Sequence, residues 1–393
     1  MTRPFANDTT IKRFTNLKLS SWKNFKKVDV PLVERIFIIG PNASGKSNFL
    51  EAFRFLHDLT TEGGGLAKAV SLREGMSKIR SLHATINSAV ELEVAMEDAA
   101  GAKWEYRLVF DTPSTKSDHV LVTKEFVRRD DEVLLNRPTS DDDADKERLR
   151  QTAIEQVSVN KRFRCIAEFF RSIRLMSLVP QLIREGQSSP RIYPGEDPLG
   201  RDLLERIRQC GKGQQTKRLK AIESILRRAV PSFEELRLEV DKRGRPHLAV
   251  GFKHWRSKTV KQRESQFSDG TLRLIAMLWA LQEGAGPLLL EEPEWSLHTA
   301  ILERLAPFIA RMQREGGGRQ VFVTTHSERV LSDPGISPEE LLLIVPASGG
   351  GSEIKPGARL AVVEKAMRAG LTAGQAAQPL TRLKTMSLFG EST

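Results

Sequence analysis

The sequence predicts an α/β fold in which a mixed central sheet carries an antiparallel β subdomain and an inserted helical lobe. Three observations lead to this prediction. A continuous apolar strand at residues 35–39 runs into a glycine-rich loop and then into a helix. Short β-rich pieces between residues 89 and 135 are separated by turn residues, as in an antiparallel meander. The stretch 146–230 has no long heptad run, which favours packed helices without an extended coiled coil.

These elements divide the chain into three predicted segments. Residues 1–138 form an N-lobe with the glycine loop and the meander, residues 139–232 form a helical insertion, and residues 233–393 form a C-lobe in which strand patterns return. The N-lobe begins with paired strands within residues 11–31, and the turn between them is expected at Lys26-Lys27.

Composition narrows the class of protein. The chain has 393 residues, of which 39% are hydrophobic, so it can bury one large core or two lobes. Its apolar runs are far shorter than the roughly 20 residues of a membrane span, and its N-terminus lacks an apolar signal core. Cys165 and Cys210 lie far apart, which argues against a disulfide framework or a zinc site. We therefore expect a cytoplasmic protein without a membrane segment.

The glycine loop fits the Walker A pattern and lies in the context that this pattern requires, between a strand and a helix. Its backbone N–H groups and the helix N-terminus would hold phosphates, Lys46 would reach the β- and γ-phosphates, and Ser47 would bind Mg²⁺. The alternative, an accidental glycine turn, does not account for the flanking strand and helix. The residues assigned to the nucleotide are Gly40, Pro41, Asn42, Ala43, Ser44, Gly45, Lys46, Ser47 and Asn48.

A Walker B candidate lies far downstream, where the apolar strand 288–290 leads into Glu291 and Glu292. Hydrolysis needs one carboxylate in the metal shell and another that orients or deprotonates the attacking water. We assign Glu291 to the metal and Glu292 to the water. Two glutamates after leucines are otherwise an ordinary solvated strand end, and the Walker A loop is what favours the catalytic interpretation.

Two further phosphate contacts are predicted. Ser268 is a natural N-cap of a buried helix, so Ser268, Asp269 and Gly270 would form a second phosphate-binding helix end, an interpretation compatible with simple capping. The strand 320–324 leads to His326, whose imidazole could sense the γ-phosphate as a catalytic residue. A lone histidine at a strand end is otherwise structural.

The order of these motifs resembles the ATPase head of the ABC/SMC/RecF class. The resemblance covers nearly the whole chain and is closest to the prokaryotic "predicted AAA family ATPase" branch related to the ATPase half of OLD-family nucleases. The residues that carry it are Ser268 to Thr271, Glu292 to Glu294, and Thr325 to Ser327. It implies Mg²⁺-dependent ATP hydrolysis by a head-to-tail dimer that traps two ATP molecules, with Ser268 acting on the partner subunit's nucleotide.

The resemblance also implies roles for residues outside these motifs. Lys23 and Asn24 match the N-terminal basic motif that approaches the nucleotide in such heads, and Gln181 is the candidate Q-loop glutamine at the metal. For Gln181 the alternative is an exposed glutamine at a helix start. The chain departs from the family pattern at Glu291, where aspartate is usual, and at Asp269, which replaces a signature glycine.

A nuclease centre is not recognisable in the sequence. OLD proteins carry a TOPRIM domain after the ATPase head, and the residues after His326 lack its glutamate and Asp-x-Asp pair. The acidic run Asp141-Asp142-Asp143 is predicted to be a solvated linker. The resemblance therefore implies a separately encoded effector, such as a TOPRIM-like nuclease, and a role in prokaryotic antiviral defence or DNA maintenance.

DNA is a second candidate partner. The net charge of +11, from 61 basic and 50 acidic residues, attracts polyanions, and the stretch 242–263 contains no acidic residue. It could follow a phosphate backbone with aromatic stacking, or it could be a solvated hairpin or a subunit interface. Its basic and aromatic residues are Lys242, Arg243, Arg245, Lys253, Trp255, Arg256, Lys258, Lys261 and Arg263.

Two rival functions come from other classes. An ABC transporter subunit would need a membrane partner, and its signature is usually glycine-rich, unlike the Ser-Asp-Gly-Thr at residues 268–271. An ATP-sensing scaffold with little turnover is compatible with Glu291 in place of the usual aspartate.

Overall fold

The computed structural model of the chain describes residues 10–83, 89–113, 119–185, 197–229, 232–253, 259–315 and 318–381. Within these ranges a twelve-stranded mixed sheet forms the centre of the molecule, and helices pack on it, which confirms the predicted α/β class. A separate three-stranded sheet lies beside it.

The strands are β1 (Ile11–Trp22), β2 (Phe25–Pro31), β3 (Arg35–Ile39), β4 (Val90–Asp98), β5 (Lys103–Asp111), β6 (Leu121–Arg129), β7 (Glu132–Arg137), β8 (Arg174–Met176), β9 (Phe233–Val240), β10 (Pro246–Lys253), β11 (Thr259–Arg263), β12 (Leu288–Glu291), β13 (Val321–Thr325), β14 (Leu341–Pro346) and β15 (Ser352–Pro356). The main sheet has the order β7-β6-β5-β4-β1-β2-β15-β14-β3-β13-β12-β8, and the small sheet has the order β11-β10-β9.

The helices are α1 (Lys46–Thr60), α2 (Leu66–Ser71), α3 (Met76–Ile79), α4 (Ser140–Ala144), α5 (Arg164–Arg171), α6 (Pro180–Glu185), α7 (Leu203–Gln209), α8 (Lys212–Ala229), α9 (Asp269–Gln282), α10 (Thr299–Glu315), α11 (Ala361–Arg368) and α12 (Ala373–Thr381). Short 3₁₀ helices lie at Lys146–Arg150, Asn160–Arg162, Glu264–Gln266, Pro338–Glu340 and Gly357–Arg359.

The central strands are buried on both faces, and their alternating side chains belong to two hydrophobic cores. In β3, Ile36 and Ile38 pack into a core with α1 and α5, whereas Phe37 and Ile39 pack into a core with α8, α9 and α10. Strands β8, β12, β13, β3 and β14 run parallel to one another. Because the carboxyl ends of parallel strands meet at one edge, the loops after β3, β12 and β13 converge.

The predicted N-terminal hairpin exists, but the prediction of its turn at Lys26-Lys27 is wrong. Trp22 pairs directly with Phe25, so the turn consists of Lys23 and Asn24. Trp22 and Phe25 are both fully buried, and a two-residue connection lets them face each other across the strands. The turn therefore lies next to the glycine loop.

The antiparallel meander is confirmed and is larger than predicted. Strands β4, β5 and β6 cover the three predicted pieces, and β7 adds a fourth strand. The meander is joined to the rest of the sheet because β4 pairs with β1. The main sheet thus takes strands from all three predicted segments of the chain.

Two expectations for the helical region need correction. The stretch 146–230 is not wholly helical, because Arg174–Met176 forms β8 and pairs with β12 at the sheet edge. A strand of three residues is too short to show an alternating pattern. The acidic run 141–143 is not a solvated linker throughout, since Asp142 is fully buried and accepts hydrogen bonds from Arg137 and Thr139.

The C-terminal half contains the predicted hairpin and the predicted buried helix. Strands β9 and β10 flank the turn at residues 241–245, and β11 extends them. Helix α9 begins after Ser268, and residues 274–281 are all buried. In the described part of the chain, no helix is both long and apolar enough to cross a membrane.

The packing of α1 on the sheet gives a stability prediction. The fully buried Phe53 ring lies 5.0 Å from the Phe14 ring and 4.7 Å from the Phe322 ring, between centroids. Phe53→Ala should lower the free energy of unfolding by about 3–5 kcal/mol in guanidinium titrations, because it leaves a cavity. The control Val133→Ala, at an exposed position of β7, should change stability by about 0.5 kcal/mol or less. Equal stability of the two variants would contradict this packing.

Candidate active site

The glycine loop lies between β3 and α1, at the edge where the parallel strands end. Lys46 is only 6% exposed, and its ammonium donates to the carbonyl oxygens of Gly40 at 3.0 Å and Pro41 at 3.1 Å. Gly45 has a φ of 107°, in the left-handed region that favours glycine, and a side chain there would overlap the Asn24 amide. The sequence Gly-x-x-x-x-Gly-Lys-Ser is therefore what allows this backbone path.

The start of α1 is suited to an anion. Gly45, the N-cap of this fifteen-residue helix, has no side chain with which to cap it, so the first N–H groups keep their partial positive charge toward the loop. The Ser44 hydroxyl is buried and has no hydrogen-bond partner among the described residues. Backbone donors, a hydroxyl and the Lys46 ammonium are the groups that bind phosphates in glycine-loop sites.

The hairpin turn supports the loop from one side. The Asn24 amide donates to the carbonyl of Ser44 at 2.9 Å and to the hydroxyl of Ser352 at 2.9 Å, and its oxygen accepts from Asn48 at 2.8 Å. Lys23 has a φ of 50°, and burial lowers the pKa of its ammonium. Asn24 therefore restrains the backbone of the glycine loop directly, whereas the charged groups that act on Lys23 are Glu51, Arg54, Arg73 and Glu74, outside that loop.

The first carboxylate of the strand end contacts the loop. The Ser47 hydroxyl donates to Glu291 Oε1, so the longer side chain of glutamate reaches the position where an aspartate was expected. A hydroxyl and a carboxylate suit Mg²⁺, which usually takes its other ligands from phosphates and water. The described residues contain no group of three or more His, Cys, Asp or Glu side chains that could hold a metal by themselves.

The second carboxylate is the most closely held group in the site. Glu292 has a φ of 41°, rare for a residue with a side chain, and its N–H donates to the carbonyl and the hydroxyl of Thr324, both at 3.1 Å. Its Oε1 lies 3.5 Å from Lys46 Nζ and 3.6 Å from His326 Nδ1. Its Oε2 accepts from the Trp295 indole at 2.7 Å.

These contacts keep Glu292 ionised. Partial burial alone would raise the pKa of its carboxyl, but the Trp295 hydrogen bond and the charges of Lys46 and His326 outweigh burial and hold the pKa below its usual value. A carboxylate that stays deprotonated can accept a proton or orient a water molecule at neutral pH.

His326 is oriented by a glutamate that the sequence analysis did not assign. Glu294 is buried, and its Oε1 accepts from the Thr325 hydroxyl at 2.6 Å and from the His326 N–H at 3.1 Å. The same oxygen lies 3.5 Å from His326 Nδ1. Glu294 lies in the turn after β12, so strand alternation could not assign it; the signal that could have indicated it is the Glu-Pro-Glu of residues 292–294, which carries the family resemblance.

The predicted signature forms a second, neighbouring group. Ser268 caps α9 by accepting from Thr271 N–H at 3.2 Å. Asp269 accepts from the Gln181 amide at 2.7 Å and from Arg184 at 2.6 Å. The contact that the structure gives Gln181 is therefore to the signature, and its role at the metal stays a prediction.

The signature also touches the loop after Glu292. A side chain at Gly270 would overlap the carbonyl oxygen of Ser296, so the start of α9 packs on that loop through the backbone. The structure thus brings Asn24, residues 40–48, Glu291, Glu292 and His326 around one edge, and places Ser268, Asp269, Gly270 and Gln181 beside it. The role of Lys23 at the nucleotide stays a prediction.

The basic stretch is partly described. Lys242, Arg243 and Arg245 are exposed in the turn between β9 and β10. Lys253, Lys261 and Arg263 lie on β10 and β11. Trp255, Arg256 and Lys258 lie outside the described residues.

Solved structures share this fold. One is the Smc head bound to the C-terminal winged-helix domain of ScpA, with a TM-score of 0.52 and 16% identity over 87% of this chain and 97% of that one. Another is the Smc head domain with an extended coiled coil bound to the C-terminal domain of ScpA from Pyrococcus furiosus, with a TM-score of 0.50 and 15% identity over 92% and 98%. The likeness confirms the predicted head fold.

Sequence comparisons give the family. The endonuclease GajA of Bacillus cereus (strain VD045) is 36% identical over 66 residues, which are 17% of this chain and 11% of that relative. The chain therefore spans only about a tenth of the curated relative that it matches. A family model described as "AAA domain, putative AbiEii toxin, Type IV TA system" matches residues 35–332, from β3 to beyond His326. The chain belongs to this family of AAA-type P-loop ATPases, whose fold is that of the SMC head.

Proposed function

We propose that this chain binds ATP with Mg²⁺ at the glycine loop and hydrolyses its terminal phosphate, and that the nucleotide controls a dimer which regulates a partner effector or a DNA-bound complex. One observation carries the proposal. The carboxylates of Glu291 and Glu292, which lie more than two hundred residues after the glycine loop, contact Ser47 and Lys46 of that loop.

Each of these residues would have its own role in binding or hydrolysis. The loop amides, the Ser44 hydroxyl and the Lys46 ammonium would hold the phosphates, and Asn24 would keep the loop in the shape that binds them. Ser47 and Glu291 would hold Mg²⁺, which when bound neutralises charge on the phosphates. Glu292 would orient the attacking water and take its proton.

Glu292 Oε1, the oxygen proposed to act on water, lies between the Lys46 ammonium and the His326 ring. When phosphates bind, the Lys46 ammonium has a stronger anionic partner, and Glu292 Oε1 becomes available to water. His326 would stay against Glu294 and present its ring to the terminal phosphate. The proposal thus gives the two glutamates different tasks because their partners differ.

The dimer is part of the proposal. Ser268 and the start of α9 form a helix end that would bind the nucleotide of a second copy, as in the heads that this chain resembles. The charge of Asp269 is offset by Arg184, which removes the main obstacle to a phosphate near that carboxylate. The effector would be separately encoded, such as a TOPRIM-like nuclease acting in antiviral defence. The match to a stretch of an endonuclease supports only the link to a nuclease.

Catalysis is tested by Glu292→Gln. The variant should keep ATP binding while its steady-state phosphate release falls about 100-fold or more, because the proton acceptor is lost. An ATP-dependent dimer should accumulate, measured by light scattering during size exclusion.

The Glu292→Gln variant is compared with two control variants. Glu353→Gln, an exposed glutamate on β15, should behave as wild type, whereas Lys46→Ala should lose ATP binding in calorimetry. Hydrolysis at the wild-type rate by Glu292→Gln would move the catalytic role elsewhere. Binding without turnover in the wild-type protein would favour the ATP-sensing scaffold.

The support of the loop is tested by Asn24→Ala. Loss of its bonds to Ser44 and Asn48, each worth about 1 kcal/mol, should weaken calorimetric ATP affinity about thirtyfold, since about 1.4 kcal/mol corresponds to a factor of ten. Asn16→Ala removes a half-buried asparagine of the same hairpin, which bonds to Asp29, and should leave affinity unchanged. Equal affinities in the two variants, with both folded, would mean that Asn24 does not shape the site.

The DNA part of the proposal rests on the exposed cations of the β9–β10 turn. If they bind DNA phosphates, the triple variant Lys242→Glu, Arg243→Glu, Arg245→Glu should flatten the plot of log affinity against log salt by roughly 0.9 for each phosphate that is no longer neutralised. The matched variant Lys212→Glu, Lys217→Glu, Lys220→Glu makes the same charge change on the exposed side of α8. The same slope in both variants would remove this turn from the DNA proposal.

A further inference from the structure

We propose that Trp295 is a positioning residue for the hydrolytic site, because its indole N–H holds one oxygen of Glu292 and leaves the other directed at Lys46 and His326. The proposal deepens the proposed function and rests on it. Its starting observation is the 2.7 Å hydrogen bond from Trp295 Nε1 to Glu292 Oε2.

A tight turn brings the indole back over the carboxylate. Trp295 N–H approaches the Glu292 carbonyl at 3.4 Å, which closes a four-residue turn with Pro293 at its second position. Proline fixes φ near −65° and suits that position of a turn. Glu292 itself has a φ of 41°, so its side chain leaves the strand in an unusual direction, and the turn returns Trp295 to meet it.

The two oxygens of Glu292 are made unequal by this contact. Oε2 is held by the neutral indole donor, whereas Oε1 faces the Lys46 ammonium at 3.5 Å and the His326 ring at 3.6 Å. A glutamate side chain has several rotatable bonds. Each bond that rotates freely makes the position of the reacting oxygen less defined. Trp295 restricts that rotation by holding Oε2, the oxygen that does not face Lys46 and His326.

Burial does not explain this tryptophan. Trp295 is 57% exposed, whereas Trp22, Trp104 and Trp279 are buried in the cores. An exposed indole contributes little to folding, so its placement is best explained by the hydrogen bond that it makes.

The turn packs against the start of helix α9, which carries the signature residues 268–271. The carbonyl oxygen of Ser296, the residue after Trp295, lies where a side chain of Gly270 would stand. Ser296 has a φ of 62°, and Leu297 N–H donates to the Glu294 carbonyl at 3.1 Å. Trp295 therefore stands on a restrained backbone, which a positioning residue requires.

The contact is tested without turnover by NMR of the tryptophan side chains. The chain has five tryptophans, and the Trp295 indole resonance is identified by its loss in Trp295→Phe. At neutral pH, Glu292→Gln should move this resonance upfield, because a neutral amide accepts more weakly than a carboxylate. The control Glu353→Gln should leave all the indole resonances in place. A Trp295 resonance that is identical in wild type and Glu292→Gln would overturn the proposal.

The kinetic role is tested by Trp295→Phe, which keeps an aromatic ring and removes the donor. The kcat for ATP hydrolysis should fall about three- to tenfold, with KM changed less than about twofold. Val362→Ala, at an equally exposed position on α11, should match wild type in kcat and KM.

A Trp295→Phe variant with wild-type kcat would overturn the proposal, as would an effect confined to KM. Failure of the proposed function is distinguishable from these outcomes. If the wild-type protein has no ATPase activity, the kinetic experiment fails for every variant, whereas the NMR comparison still decides whether Trp295 holds Glu292.

Discussion

The rest of the site depends on how the positive charge of the buried Lys46 ammonium is compensated. A cation that is 6% exposed must be compensated, and it has two loop carbonyls within about 3 Å and Glu292 at 3.5 Å. The loop carbonyls are available only because the backbone turns through Gly45 in a left-handed conformation. The Glu292 carboxylate reaches Lys46 only because β12 and β3 are separated in the sheet by the single strand β13 and end at the same edge. The compensation of the Lys46 charge thus requires the loop conformation, the order of the strands and the position of the strand ends together.

The same charge explains the division of tasks among the acidic residues. Glu292 faces Lys46 and His326, so it stays ionised and can act on water, whereas Glu291 meets the Ser47 hydroxyl and suits a metal. Glu294 is buried and orients His326. Three glutamates within four residues therefore have distinct chemistry because each contacts a different neighbour.

Much of the fold could be predicted because its signals are local. The apolar run of β3, the glycine loop, the meander and the buried helix α9 each have a pattern within a short window. The elements that were missed depend on distant partners. Strand β8 is three residues long and exists through pairing with β12, and Asp142 is buried because Arg137 neutralises it. The hairpin turn lies at Lys23 and Asn24 because Trp22 and Phe25 pack opposite each other.

Site residues could be predicted where a sequence motif follows a recognisable strand. They could not be predicted where they depend on contacts between residues that are far apart in the sequence. Trp295 carries no motif of its own, and its bond to Glu292 follows from backbone angles that no pattern of residues shows. The sequence offers Gln181 only as a candidate Q-loop glutamine at the metal, and the contact that the structure gives it is to Asp269. A tertiary contact between side chains 88 residues apart has no local signal.

In the proposed nucleotide-bound state, the glycine loop and both strand-end glutamates act on one ATP molecule. The most direct measurement is a crystal structure with Mg²⁺ and a non-hydrolysable ATP analogue. We expect phosphates within hydrogen-bonding distance of Lys46 Nζ, Mg²⁺ beside Ser47 and Glu291, and a water molecule on Glu292 Oε1 with Trp295 still bonded to Oε2. A nucleotide bound away from Lys46, or phosphates that leave both glutamates without contact to metal or water, would contradict it.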